Sequence, residues 1–391
     1  MKSSPSFYNS PEALELVGEL TQLLSRNNEL ALINQYRKRG VDHELLTFAL
    51  NQARLRQRAI NKFPERAAQM LFTEPGLEQA TRSEVANWHA KKFLEAKITS
   101  VTDLGAGIGS DSIAFAQGGL VVHAIENHPE SCEALRHNLK AFENTSALQT
   151  SAQDHEIATE GLWLDPARRE QDRKSLSVQR LDPSMFSPSL DFVFEKASER
   201  PTGIKLAPGF PHELIPTNFE ANWVSHGGDL VELTLWSEPL GRPGLKKAVM
   251  IGESTREFEG TNRSGYVSGL QHFIYEPDVS LIRSHLLGDF ANQNQLQLIS
   301  ENIAYLTSSD QVLSPWLKSY RVKDVLPLDV KRIKTYCSKN EIGVLEIKKR
   351  GVDITPEVLR PKLKLKGAGV ATLILTKVGD ARQAIVCEPI R

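Results

Sequence analysis

The sequence is poor in cysteine and has no long apolar run. Its three cysteines, Cys132, Cys337 and Cys387, are widely spaced, so neither a disulfide framework nor a Cys-x-x-Cys zinc pattern can be drawn from them. No apolar stretch approaches the roughly 18 residues that a membrane-spanning helix needs. The first residues, Met-Lys-Ser-Ser-Pro-Ser-Phe-Tyr, lack the apolar core of a signal peptide. These absences predict a cytoplasmic protein that does not bind a membrane.

The ten histidines are scattered, and none forms a metal-ligand spacing with a carboxylate, so we expect no catalytic metal. With 40% hydrophobic and 24% charged residues, the composition is typical of a globular protein. A chain of 391 residues exceeds what one hydrophobic core usually supports, which predicts two to three domains.

Hydrophobic periodicity divides the chain into three parts. Apolar residues at helical spacing predict a helical segment over residues 1–97. Over 98–275, short apolar runs alternate with helical stretches, which predicts an α/β domain with a mostly parallel, Rossmann-like sheet. The predicted strands are 98–104, 120–125, 148–152, 162–164, 203–206, 230–235 and 248–251.

Two details of this division are specific predictions. The linker 237–244 contains no helical pattern, so the run 248–251 is expected to be an antiparallel strand at the sheet edge. The third part, 276–391, mixes both patterns and predicts an α+β domain, with a helix over 329–338 and strands over 341–347 and 371–377. The long polar stretch 165–201 is expected to serve function.

A glycine-rich loop follows the first predicted strand, with Gly105, Gly107 and Gly109 at its centre. Glycine lets a backbone turn tightly and approach a ligand closely. A nicotinamide-dinucleotide fingerprint would need glycine where Ser110 stands. Asp103 also suits a cationic sulfonium better than a pyrophosphate. The loop therefore favours S-adenosylmethionine as cofactor over a dinucleotide; a purely structural turn is the remaining alternative.

Acidic residues follow the next predicted strands. Glu126 can accept both ribose hydroxyls of an adenosine, Asp154 can meet the adenine amino group, and Asp165 ends the fourth strand beside Pro166. Because the carboxyl ends of parallel strands line one crevice, these groups are expected to share a pocket. The alternative is that Glu126 and Asp154 are solvated strand-end caps.

The chain resembles class I S-adenosylmethionine-dependent methyltransferases with a C-terminal THUMP-like domain, a bacterial group whose core is similar to trimethylguanosine synthase and to THUMP-containing RNA methyltransferases. The resemblance covers nearly all of the chain from about residue 50. It is carried by the glycine loop and by the stretches 72–81, 164–169, 303–307 and 345–353.

The resemblance implies roles for individual residues. Asp103, Gly105, Gly107 and Asp111 would contact the methionine end of the cofactor, Glu126 the ribose and Asp154 the adenine, while Thr81 would close over it. The candidate cofactor-binding residues are Thr81, Asp103, Gly105, Gly107, Gly109, Asp111, Glu126, Asn127, Asp154, Asp165 and Pro166.

The fourth strand departs from amino-methyltransferases, which have an aromatic residue after their prolines. Here the motif is Asp-Pro-Ala-Arg-Arg. It resembles uridine C5-methyltransferases too, but no cysteine stands in a matching motif for their nucleophile. Asp165 is the candidate for orienting the methyl acceptor, and Arg168, a second catalytic candidate, would bind a phosphate with Arg169 unless both form surface ion pairs. Lys205, inside an apolar strand, is a candidate partner of Asp165, and the alternative is that its strand lies at the sheet edge.

Basic residues cluster outside the central domain. Residues 321–366 contain 13 Lys and Arg against 6 Asp and Glu, and residues 51–70 contain five against one. Such clusters favour RNA, tRNA or rRNA, as partner over a merely solvated face. The candidate RNA-binding residues are Lys348, Lys349, Arg350, Lys362, Lys364 and Lys366, the last three on a predicted strand with one basic face.

Three functional hypotheses follow. The first is a methyltransferase acting on a base in structured RNA. The second is a small-molecule or protein methyltransferase whose C-terminal domain serves dimerisation. The third is a non-catalytic RNA-binding protein that retains a cofactor fold. The acidic residues of the cofactor site argue against the third, and the basic C-terminal segment favours the first over the second.

Overall fold

The computed structural model describes residues 5–24, 28–168 and 186–390. The chain divides into two compact units. The first comprises Met1–Leu206, Pro211–Glu220 and Thr234–Gly244, and the second comprises Ala207–Phe210, Ala221–Leu233 and Leu245–Arg391. The boundaries at residues 97 and 275 stay a prediction. No helix in the described ranges has the length and apolar character needed to cross a membrane.

The N-terminal part is helical, as its periodicity predicts. After a short 3-10 helix (Pro5–Asn9), the helices are α1 (Pro11–Leu24), α2 (Glu29–Lys38), α3 (His43–Ala59), α4 (Glu74–Gln79) and α5 (Ser83–Glu95). Helix α3 begins where Asp42 accepts hydrogen bonds from two free amides of the first turn. Its apolar face, including Leu46 and Ala49, is buried, and α1 packs against α3.

A parallel sheet follows, built from β1 (Ser100–Leu104), β2 (Val121–Glu126), β3 (Thr145–Gln149) and β4 (Gly161–Leu164), with α6 (Ser110–Gln117) and α7 (Pro129–Leu139) between the early strands. Strand β1 pairs in parallel with β2 and β4, and β2 with β3. Strands β1 and β4 are almost wholly buried, which is why β4 reads as a continuous apolar run, whereas β1 also buries Thr102 and Asp103.

The predicted polar stretch 165–201 contains regular structure where it is described. Two short strands, β5 (Ala167–Arg168) and β6 (Phe186–Ser187), form a small antiparallel ribbon, and α8 (Leu190–Ala197) follows. Strand β7 (Thr202–Leu206) then pairs in parallel with β4. Residues 169–185, including Arg169, lie outside the described part of the chain.

The nine-stranded sheet continues with β8 (Glu220–His226), β9 (Asp229–Trp236), β10 (Lys246–Ile251) and β11 (Arg256–Gly260). Its order is β11-β10-β8-β9-β7-β4-β1-β2-β3. The prediction of an antiparallel edge strand at 248–251 was wrong, because β10 pairs in parallel with β8 and is flanked by β11. The linker after β9 carries the chain past β8 instead of forming a hairpin.

The C-terminal part is the predicted α+β structure. Its seven strands are β12 (Phe273–Pro277), β13 (Gln297–Ser300), β14 (Ile303–Ser308), β15 (Leu317–Pro327), β16 (Ile342–Lys349), β17 (Gly369–Val378) and β18 (Ala381–Pro389), in the order β13-β14-β12-β15-β18-β17-β16. Helices α9 (Val279–Arg283), α10 (Leu287–Gln293), α11 (Val330–Lys339) and α12 (Pro356–Leu363) accompany them. Residues of α11 and α12, such as Ile333 and Leu359, share a core with β16 to β18. The predicted helix 329–338 and strands 341–347 and 371–377 are confirmed.

Candidate functional site

A cavity of about 480 Å³ lies at the carboxyl ends of β1, β2 and β4, in the first unit. This is where an open α/β sheet binds its ligands. Of the predicted cofactor residues, Asp103, Gly105, Gly107, Asp111, Glu126, Asn127 and Asp165 line the cavity. The structure thus brings together the glycine loop and acidic residues that stand far apart in the sequence.

The glycine loop turns from β1 into α6 through three residues with positive φ, at +89° for Gly105, +58° for Gly107 and +89° for Gly109. Such angles strain any residue with a Cβ. A Cβ on Gly107 would meet no atom within 4 Å, whereas one on Gly109 would stand 2.6 Å from Leu135 Cδ1. Gly107 therefore leaves open space at the cavity wall, while Gly109 permits close packing against α7.

Two buried carboxyl groups form the floor of the cavity. Asp103 at the end of β1 is 1% exposed and accepts a hydrogen bond of 2.5 Å from Ser112 Oγ. Burial, together with the negative charge of Asp111, raises the pKa of Asp103 to about 8. A cation that enters the cavity would favour the ionised form of Asp103.

Asp111 in the first turn of α6 is held by partners behind the cavity. His89 Nδ1 lies 2.7 Å from Asp111 Oδ1, and Thr81 Oγ1 donates to Asp111 Oδ2 at 2.8 Å. Burial alone would raise the pKa of Asp111, but the hydrogen bond and charge of His89, with Lys205 and Thr81, hold it below its ordinary value. The floor therefore carries one fixed negative charge.

Glu126 ends β2 on the opposite side of the glycine loop. Its carboxylate accepts hydrogen bonds from the amides of Gly107 at 2.9 Å and His128 at 2.7 Å. Burial raises the pKa of Glu126, although these amides act in the opposite direction. A carboxylate in this position can accept the two hydroxyls of a ribose.

Asp165 follows β4 and forms an ion pair with Lys205. Leu164 and Ile204 are partners in the parallel pairing of β4 with β7, so the next residues stand side by side. Lys205 Nζ lies 2.5 Å from Asp165 Oδ2 and donates to Thr81 Oγ1 at 3.0 Å. The predicted pairing of Lys205 with Asp165 is confirmed.

Helix α4 supplies the remaining wall, which sequence reasoning recognised only as a motif. Pro75, Gly76 and Gln79 line the cavity. Lys62 Nζ donates at 2.8 Å to each of the carbonyl oxygens of Leu77, Glu78 and Ala80, which anchors the end of this segment. Burial, with the charges of Arg82 and Lys205, lowers the pKa of Lys62 to about 8.

Four candidate residues do not line the cavity: Thr81, Gly109, Asp154 and Pro166. Thr81 lies behind the cavity and donates a hydrogen bond to Asp111, and Asp154 is exposed and accepts a hydrogen bond from Ser151 Oγ at 2.6 Å.

Three residues that follow β3 line the cavity but were not predicted from the sequence: Thr150, Ala152 and Gln153. The position just after a parallel strand is the signal that could have found them. The side chain of Arg168 lies outside the described part of the structure.

The lining residues fit S-adenosylmethionine. The cavity has the size of small-molecule and cofactor sites. Gly107 leaves room for a ligand against the loop, the floor offers Asp103 and Asp111 to a cationic amino-acid end, and Glu126 offers its carboxylate to a ribose. The described residues contain no cluster of His, Cys, Asp and Glu that could hold a metal ion.

The basic candidates of the C-terminal unit fall into two groups. Lys348 forms a 2.6 Å ion pair with Glu276, and Arg350 donates to the carbonyl of Ala304 and stacks on Tyr305. These two side chains hold strands of the unit together. By contrast, Lys349, Lys362, Lys364 and Lys366 are exposed.

Two further sequence expectations about charge are corrected. The run 362–366 is not a strand: Leu363 ends α12 and Lys364 takes a left-handed conformation, with φ at +50°. The basic cluster at 51–70 is largely engaged within the protein. Arg56 is buried and donates to the carbonyl of Met70, Lys62 anchors α4, and Arg54 and Arg58 pair with Glu29 and Glu74.

Comparison with known proteins adds independent information. The THUMP domain-like family matches residues 317–389. Relatives from two strains of Mycobacterium tuberculosis, each an uncharacterised S-adenosylmethionine-dependent methyltransferase, are 29% identical over 355 residues, which cover 86% of this chain and 95% of theirs. The solved structure of a protein from Porphyromonas gingivalis W83, provisionally described as a methyltransferase, has a TM-score of 0.78 at 18% identity and covers 98% of this chain and 99% of its own.

These similarities agree with the geometry of the cavity. The match in Porphyromonas gingivalis extends over almost the whole chain, so the fold is shared as a whole. The predicted class I methyltransferase fold, the C-terminal THUMP-like domain, the enzyme class and the cofactor S-adenosylmethionine are confirmed.

Proposed function

We propose that this class I S-adenosylmethionine-dependent methyltransferase, with its C-terminal THUMP-like domain, methylates a base in structured RNA, either tRNA or rRNA. The observation that carries the proposal is the position of the exposed lysines. Exposed lysines cluster on the THUMP-like domain, whereas no lysine or arginine of the described residues lines the methyl-donor cavity. A basic surface on a separate module suits the binding of a long polyanion better than that of a small acceptor.

The proposed RNA surface lies on two neighbouring helices. Helix α11 exposes Lys331, Arg332 and Lys334 while burying Ile333 and Cys337. Beside it, the end of α12 and the following turn expose Lys362, Lys364 and Lys366. We name these six residues the basic helix surface. It replaces Lys348 and Arg350, which are engaged within the unit, as the site to test.

The cavity residues account for the chemistry. When bound, S-adenosylmethionine supplies an electrophilic methyl group. Asp103 and Asp111 would attract its cationic end, and Glu126 would hold its ribose. Methyl transfer needs in-line placement more than strong acid or base catalysis. Asp165 would hydrogen-bond the acceptor atom and stabilise the positive charge that develops there. The three cysteines are buried and free, which supports the proposed cytoplasmic location.

The test uses RNA from a strain that lacks the gene. Purified protein, labelled methyl donor and this RNA are incubated, and the nucleosides are separated. Label in one modified nucleoside of tRNA or rRNA is the expected result, and RNA from the parent strain, which is already methylated, should accept little. If neither RNA accepts label while the protein binds S-adenosylhomocysteine, the acceptor is a small molecule or a protein, and the THUMP-like domain serves another purpose such as dimerisation.

A further inference from the structure

A series of polar side-chain contacts connects Asp111, on the floor of the cavity, with Asp165. It runs from His89 through Asp111, Thr81 and Lys205 to the carboxylate of Asp165, with successive contacts of 2.7, 2.8, 3.0 and 2.5 Å. A hydroxyl has a single hydrogen to donate. Thr81 donates this hydrogen to Asp111, so it must accept a hydrogen bond from Lys205. The directions of these two hydrogen bonds are therefore fixed.

Lys205 is costly where it stands, because its side chain is only 12% exposed within an apolar strand. A buried ammonium is tolerated when it is paired and hydrogen-bonded. Three carboxyl groups converge here: Asp103 from β1, Asp111 from α6 and Asp165 from β4. Mutual repulsion favours the protonation of at least one of them. Lys205 contacts Asp165, the residue that is proposed to face the methyl acceptor.

We propose that Lys205 is a positioning residue that holds the carboxylate of Asp165 in its charged form at the cavity wall, with Thr81 fixing the ammonium. The inference rests on the proposed function only in that Asp165 faces the methyl acceptor. During transfer, the acceptor atom bonds to the methyl carbon while the carbon–sulfur bond breaks and its electron pair stays on sulfur. A proton then leaves the acceptor atom, and charged Asp165 can receive it before passing it to solvent.

Other charged groups face this pair among the described residues. Asp103 acts on both Asp165 and Lys205, and Asp111 acts on Lys205. Lys62 lies close enough to Lys205 to repel it, and His89 is paired with Asp111. The charge of Asp103 makes protonation of Asp165 easier, and Lys205 is a cation in direct contact that opposes it. Loss of the Lys205 charge should therefore raise the pKa of Asp165.

The first test needs no acceptor. The side chains of aspartate are labelled with ¹³C at the carboxyl carbon, the Asp165 signal is assigned with Asp165→Asn, and its titration is followed by NMR. In Lys205→Met the midpoint should rise by about one pH unit or more, and Lys205→Arg should restore it. Lys205→Gln, which keeps a donor for Thr81 without the charge, should behave as Lys205→Met and provides a second variant if methionine prevents folding.

Lys92→Met is the matched control. Lys92 is also 12% exposed in the same unit, and it pairs with the buried Glu220 at 3.3 Å. Its replacement should leave the Asp165 midpoint unchanged. An Asp165 midpoint that stays the same in Lys205→Met, or that moves equally in Lys92→Met, overturns the proposal.

A second readout applies where the RNA of the deletion strain accepts label. The acid limb of the pH–rate profile should then move to higher pH in Lys205→Met and return in Lys205→Arg, which a merely structural lysine would not produce. If the unaltered protein transfers no methyl group to RNA, the proposed function fails, whereas the carboxyl titration still decides the role of Lys205.

Discussion

Asp103 shows how a single residue can link stability to ligand binding. In the unfolded chain it ionises near its ordinary pKa of 3.8, whereas burial and the charge of Asp111 keep it protonated in the folded protein up to about pH 8. Between these values the folded state binds more protons than the unfolded state. The free energy of unfolding of the ligand-free protein therefore falls, through this group, as pH rises from about 4 to 8.

Asp103→Asn should remove this loss. We expect the ligand-free variant to match the original protein near pH 4 and to be the more stable of the two near pH 8, as measured by urea unfolding across this range.

The original protein should also release close to one proton on binding S-adenosylhomocysteine at pH 7, because the ammonium of that ligand favours ionised Asp103. Calorimetry in buffers of different ionisation enthalpy measures this release. Equal proton release by Asp103→Asn would show that another group is responsible.

At the scale of elements, most strands of the nine-stranded sheet were predictable, but β8 and β11 were not. Strand β4 is buried on both faces, so its sequence is a continuous apolar run, and β1 keeps Val101 and Leu104 in a largely buried strand. Strand β8 is also buried, but it carries Glu220, Asn222 and Ser225 in its core-facing positions, which hides it from a hydrophobicity pattern. The exposed β11 has no such pattern at all.

The alternating lysines 362–366 failed as a strand prediction for a related reason. Leu359 and Leu363 are buried one helical turn apart on α12, and Leu365 packs against the same core after the helix has ended. Alternation of lysine and leucine thus arises from a helix end followed by a turn. By contrast, Asp103, Glu126 and Asp165 were predictable because they lie at or just after the ends of strands. The anchoring role of Lys62 depends on the fold of α4 and leaves no local signature.

Helix α4 supports an element-scale prediction through Gly76. A Cβ at this position would stand 2.5 Å from Ile108 Cγ2 of the glycine loop and 2.5 Å from Thr73 Oγ1, the N-cap of α4. Gly76→Ala must therefore push α4 away from the loop. We expect binding of S-adenosylhomocysteine, measured by calorimetry, to weaken about ten-fold or more, with a loss of about 1–3 kcal/mol in stability.

Gly18→Ala is the matched control for Gly76→Ala. Gly18 lies inside α1, and a Cβ there would meet nothing within 4 Å. Alanine should stabilise this helix by roughly 0.5–1 kcal/mol and leave ligand affinity unchanged. Unaltered affinity in Gly76→Ala would mean that α4 does not form a wall of the occupied site.

At the scale of the whole molecule, a net charge of −1 conceals an uneven distribution. Much of the basic charge in the N-terminal helices is paired or hydrogen-bonded within the first unit. The charge of the basic helix surface is exposed. Net charge would thus mislead about partners, and the exposed lysines are the better guide.

The last prediction therefore compares two charge reversals of equal size. One variant changes four exposed lysines of the C-terminal unit to glutamate, and the other changes four exposed lysines of the first unit. The former are Lys334, Lys362, Lys364 and Lys366, all in the basic helix surface, and the latter are Lys38, Lys91, Lys97 and Lys140. Both variants should bind S-adenosylhomocysteine as the original protein does, since none of these residues lines the cavity.

Only the variant of the C-terminal unit should lose affinity for RNA. Each phosphate contact removed lowers the steepness with which affinity depends on salt, so its binding to tRNA should fall at least ten-fold at 0.1 M salt and vary less with salt concentration. Fluorescence anisotropy with labelled tRNA at several salt concentrations measures both quantities. An equal loss in the two variants would indicate that tRNA responds to total charge alone. In that case the exposed lysines would no longer support RNA as the substrate, although the methyl-donor site would stand unchanged.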